Sequence, residues 1–121
     1  MTTIILLFFA GMLNGVMDVI SHNYSASIFN KFPKLENYCN PVYSWRNKYK
    51  KRNPDKGPLF FGSTTFLAFL TDLWHMSKTL MLILIMIAIC SYTPLLGIFD
   101  ILLFYLVFTS SFELFYSYIL K

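Results

Sequence analysis

The chain has 121 residues, a net charge of +4, 56% apolar and 19% aromatic residues, and only 13% charged residues. Soluble domains carry about a quarter charged residues, and a chain this short has no water-soluble core large enough to hide so much apolar surface. The apolar runs are continuous rather than alternating, which speaks against a transmembrane barrel; the expected class is an all-α integral membrane protein, one domain over residues 1–121.

The first predicted helix covers about residues 4–22. Met1-Thr2-Thr3 lacks the positive start of a signal peptide, and no convincing small-residue cleavage site follows, so the segment is expected to be retained. Gly11, Asn14, Gly15, Asp18 and His22 recur at spacings of three and four, which places them on one helical stripe. Gly11-xxx-Gly15 allows a neighbouring helix to approach closely. Ordinary packing explains it equally well.

Residues 23–60 form a basic, aromatic loop. Asn40-Pro41, Asn53-Pro54 and Lys56-Gly57-Pro58 divide it into short ordered pieces, with a short helix expected over Ser44 to Lys51. Trp45, Arg46, Lys48, Lys50, Lys51 and Arg52 interleave rings with cations. Such a belt suits headgroup depth over an anionic leaflet, so membrane lipid is the expected partner. Basic-aromatic runs are common beside membranes, and no nucleic-acid partner is expected.

A second helix is predicted over about 62–92. Ser63 after Gly62 is the expected N-cap, and the stretch from Phe61 to Trp74 is expected to lie at the interface or enter at a slant. Its polar stripe is Thr64, Ala68, Thr71, Asp72, His75 and Thr79. A third helix is predicted over about 94–120, starting at Pro94. It carries Ser110, Glu113 and Ser117 on one face. Asp100 near its start is expected to reach water or cap the helix. The third segment's aromatics and the methionines read as bulk and packing, not a cofactor box.

Basic residues concentrate between the first two helices, and the turn between the second and third has none. The expectation is an inner-membrane, multi-pass protein with its N-terminus outside and its loop and C-terminus in the cytoplasm. Cys39 in the loop and Cys90 in an apolar run are expected to stay apart.

Asp18, His22, Asp72, His75 and Glu113 then all fall near the inner boundary and are expected to converge there. Ionisable groups near hydrocarbon are costly unless paired, hydrated or ligated. Three readings stay open. One is structural pairing between helices. The second is acid/base or phosphate chemistry on a lipid headgroup, with Arg46 or a loop lysine holding the phosphate. The third is a divalent metal held by Asp18, His22, Asp72 and His75.

Three stretches carry a resemblance: Ser27-Ile28-Phe29, Asn40-Pro41-Val42-Tyr43-Ser44-Trp45-Arg46-Asn47-Lys48-Tyr49-Lys50, and Phe61-Gly62-Ser63-Thr64-Thr65-Phe66 through Thr71-Asp72-Leu73-Trp74-His75. In these the chain resembles a group of small bacterial membrane proteins, with similar members in tailed phages, that have no assigned activity. It departs before Asn40, where this chain has Tyr38-Cys39 and a common member of the group carries a tryptophan nearby. It departs again at Lys51-Arg52-Asn53, in place of the group's usual glycine-containing turn. The resemblance implies a helical membrane protein and supplies no catalytic residue. The expected function is association with lipid or with membrane partners, a second copy included. The alternative is a small membrane enzyme or ion-handling protein built on the Asp/His cluster. A holin is the third reading, and lysis of the expressing cell would mark it.

Overall fold

The structure is a computed structural model that describes residues 1–120. Three helices are long and apolar enough to cross a membrane: the first over Thr2–His22, the second over Leu73–Cys90 and the third over Gly97–Ile119. Among the described residues there is no β-sheet, only an isolated bridge between Tyr49 and Pro58. The expected all-α, three-span class is the fold observed.

The first helix lies between the other two, which hardly touch each other. It runs antiparallel to the second, and the Thr3 hydroxyl donates to the Ala88 carbonyl at 3.3 Å. It runs parallel to the third, where Gly11 and Gly15 let the backbones meet. A Cβ on Gly15 would sit 3.3 Å from the Phe112 carbonyl oxygen. The Ser111 hydroxyl donates to the Phe8 carbonyl beside that seam. The glycine stripe is therefore consumed inside the chain, as close-approach packing requires. It is not left open for a partner.

Two helix starts differ from expectation. The second helix begins at Leu73, and Asp72 is its N-cap: the carboxylate accepts from the His75 amide at 2.7 Å. Residues 59–72 are turns and a short 3₁₀ piece instead of helix. Gly62 sits at φ +83, outside the helical region. Ser63 is buried and its hydroxyl donates to the Lys48 carbonyl at 2.8 Å, so it ties the loop down instead of capping a helix. The third helix begins after Pro94, not at it. Leu95 and Leu96 turn their amides onto the Asp100 carboxylate, at 3.0 and 2.9 Å, and the helix can start only beyond them. Asp100 is buried, neither exposed to water nor acting as an N-cap.

The third helix ends in a wider π-helical segment, Leu114–Ile119, closed by the Leu120 amide on the Phe115 carbonyl at 2.7 Å. Leu120 packs with Val19 and Ile20, and its carbonyl accepts from the Ile28 amide at 2.8 Å. The tightest packing thus lies at the end of the bundle that carries the loop.

The loop is a folded cap of single helical turns over 24–56. The expected helix from Ser44 to Lys51 is broken into a turn at Trp45–Lys48 and a second at Lys50–Arg52. Lys51 and Arg52 both take left-handed backbone, at φ +52 and +58. A side chain there costs roughly 1–2 kcal/mol per residue. Lys51→Gly is accordingly expected to leave stability unchanged or raise it by up to about 1 kcal/mol, read by thermal unfolding in detergent. A clear loss would show that the lysine side chain contributes contacts of its own.

Candidate functional site

The site is built where the cap meets the start of the second helix. Asn47 is the tie. Its amide donates to the Asn37 carbonyl at 2.8 Å and to the Thr71 carbonyl at 2.9 Å, joining cap to helix. Arg52 completes this bracket, donating to Asn47 Oδ1 at 2.5 Å and to the Tyr43 carbonyl at 2.7 Å. Two of its donors therefore work inside the loop, which makes Arg52 a brace more than the headgroup contact expected of it. Lys50 and Lys51 are exposed, and so are Trp45 and Arg46.

Asp72 and His75 are brought together. His75 Nδ1 lies 2.8 Å from Asp72 Oδ2 and 3.0 Å from Oδ1. The Asp72 side chain is 3% exposed and that of His75 is 35% exposed. A carboxylate only accepts, so Nδ1 carries the proton and Nε2 is the ring nitrogen left for a ligand. The Trp74 ring meets the imidazole edge-on, with centroids 5.0 Å apart.

The other predicted members do not join them. Asp18 is half-buried on the first helix, while His22 is exposed at its end. Glu113 is exposed on the third helix and accepts from the Ser117 hydroxyl at 2.6 Å. All lie toward the same end of the bundle, as depth counting requires, but none makes a hydrogen bond or ion pair with Asp72 or His75 among the described residues. Among the described residues no three His, Cys, Asp or Glu side chains are grouped to hold a metal. The expected Asp18–His22–Asp72–His75 ligand set is therefore not assembled. A carboxylate and one imidazole fall short of the three or four ligands a zinc site needs.

Sequence reasoning missed the cleft above the dyad. It has a volume of about 260 Å³, with Trp45 and Trp74 as walls and Ser21, Ser44, Asp72 and His75 among its lining. Each wall ring carries a cation: Arg46 Cζ lies 5.2 Å from the Trp45 centroid, and Lys78 Nζ lies 5.2 Å from that of Trp74. The Asn-Pro-x-x-Ser-Trp-Arg stretch held the signal for one wall, but only the fold sets it opposite Trp74.

Nearby titratable groups are quiet ones. Burial pushes the Cys39 thiol above its ordinary range, which keeps it protonated and unreactive. The Tyr38 phenol is also raised, by burial first and then by the negative charge of Asp72. Cys39 and Cys90 are both free thiols.

Asp72 is expected to matter first as a cap. Asp72→Ala should cost about 1–2 kcal/mol, and Asp72→Ser should recover most of it, as measured by thermal unfolding in detergent. Equal losses in both variants would mean that the His75 contact, not the cap, carries the stability.

No protein-family model matches this chain, and neither a curated protein nor a solved structure matches it.

Proposed function

We propose that this chain is a small inner-membrane protein of bacterial or phage origin that acts by associating with anionic lipid through its folded cap. The loop and C-terminus face the cytoplasm in this reading, as the basic residues of the loop suggest. The observation that carries it is a set of cation-on-ring pairs at one end of the bundle. Besides Arg46 on Trp45 and Lys78 on Trp74, Lys48 Nζ lies 5.8 Å from the Tyr49 ring centroid. Amphipathic rings rest at headgroup depth, and cations held over them meet lipid phosphates there. Two of the pairs sit on a cap that is already ordered and the third on the start of the second helix, so little entropy is lost when lipid binds.

Each basic residue near an anionic surface contributes about 1 kcal/mol. Reversing Arg46, Lys50 and Lys51 to glutamate should bring the lipid around the protein back to bulk composition. The measurement is phosphatidylglycerol enrichment in nanodiscs of phosphatidylcholine and phosphatidylglycerol, wild type beside the triple variant. Unchanged enrichment would sink the proposal. Arg52 is left out because its replacement would unbrace the loop. The enzyme alternative now rests on Asp72 and His75 alone, with a cleft to work in. Association with a second copy would have to use a face other than the glycine seam.

A further inference from the structure

We infer that the cleft over His75 is a phosphate-binding site, with His75 Nε2 as its ligand atom and an anionic lipid headgroup as the source of the phosphate. The inference rests on the lipid reading above in one respect: the cap must lie against the leaflet that supplies the headgroup.

The cap alone does not account for the imidazole. Helix capping uses one Asp72 oxygen, on the His75 backbone amide. Any residue but proline at position 75 would provide that amide. Yet the carboxylate also grips Nδ1, which fixes the ring and leaves Nε2 on a half-exposed imidazole lining a cleft. In its imidazolium form, Nε2 donates to a phosphate oxygen. In its neutral form it accepts from the hydroxyl of a phosphate monoester. Two cations stand beside the lining residues without being among them. Arg46 and Lys78 stand over the rings of the two tryptophan walls, and Ser21 and Ser44 bring hydroxyls to the lining. The one carboxylate is taken up by His75 and its amide. At about 260 Å³ the cleft is smaller than the roughly 300–1,000 Å³ of drug-sized pockets. A phosphate with a few headgroup atoms suits it, and an acyl chain does not. The helix N-terminus is already capped by Asp72 and is not part of the site.

Imidazole NMR tests this directly, because the chain has only two histidines. Delipidated protein labelled with ¹⁵N-histidine, in maltoside micelles, would be titrated with dioleoyl phosphatidic acid, dioleoylglycerol and inorganic phosphate. His22→Gln assigns the signals. The His75 ring resonances should shift saturably with phosphatidic acid and stay still with dioleoylglycerol. His75→Gln should weaken phosphatidic acid retention at least tenfold. Trp45→Ala, at an exposed wall, should weaken it also and guards against a folding defect at His75. A weaker response to inorganic phosphate, in the same direction, would support the phosphate as the recognised group. A response to inorganic phosphate alone would overturn the lipid source, and a His75 signal unmoved by either would overturn the site. Reversal of Lys50 and Lys51 alone, which leaves Arg46 over the Trp45 ring, separates the two proposals. Lost phosphatidylglycerol enrichment with no His75 shift fails the cleft only, whereas a His75 shift without any enrichment fails the leaflet reading only.

Discussion

Gly11→Val is expected to separate the first and third helices. A Cβ on Gly11 would fall inside contact distance of the Phe108 carbonyl oxygen and 3.0 Å from the Ser111 Cβ. The first of these is helix backbone and cannot rotate away, so the helices themselves must move. Over-packing of this kind costs about 3 kcal/mol or more, at the top of the usual range. The shift would also pull the Ser111 hydroxyl from the Phe8 carbonyl. Gly15→Ala is the control. Its Cβ would lie 3.3 Å from the Phe112 oxygen and 3.4 Å from the Phe115 Cβ. A movement of a few tenths of an ångström relieves that, and alanine's better helix propensity, about 1 kcal/mol, offsets the cost. Unfolding titrations in mixed micelles should show a large loss at position 11 and a small change at 15. Similar losses at both would refute the seam as the reason for the glycines.

Asp100→Ala is the second substitution expected to act strongly. Its buried carboxylate accepts from the Tyr92 hydroxyl at 2.6 Å and from the amides of Leu95 and Leu96. Alanine leaves three donors without an acceptor, at about 1–3 kcal/mol each when buried. The turn is otherwise exposed and water reaches part of it, so a net loss of about 2–4 kcal/mol is expected. The same hydrogen bond holds the Tyr92 phenol above its usual range. Ultraviolet titration should therefore find one fewer late-ionising tyrosine in Asp100→Ala than in the wild type, with Tyr24 and Tyr38 still late in both. Thermal unfolding close to wild type would mean that the turn finds other acceptors.

The spans were legible because hydropathy needs no partner to be read. The helix starts were less so. Leu59, Phe60, Phe61, Phe66, Leu67, Phe69 and Leu70 make residues 59–70 as apolar as a span, and only the hydrogen bonds show that they fold back on the loop. A signal for the true start was present: Asp72 stands directly before the apolar run that becomes the helix, and Asp is a preferred N-cap. Pro94 misled because a proline suits a helix start, while Asp100 claimed the next two amides for a turn. Convergence of the polar stripes failed for a different reason. Periodicity places Asp18 and His22 on a face of their helix, but not that face toward any neighbour. The second and third helices lie on separate flanks of the first, so Asp72–His75 stands apart from Glu113, which is exposed and bonded to Ser117 of its own helix. The glycine motif was read correctly as close approach, and its partner turned out to be the third helix of the same chain.

The central position of the first helix also sets an order of assembly. It emerges before the other two and remains the one surface to which each can attach. The second and third spans, joined by a short turn, would not close into a stable hairpin by themselves. Each later span must instead find an earlier template across the bilayer, one antiparallel and one parallel to it. Once both are seated, the Tyr92–Asp100 hydrogen bond and the Tyr92–Phe104 ring contact tie them to each other at the turn, and little joins them elsewhere. The protein is thus built as two leaves on one post, pinned to each other at the turn.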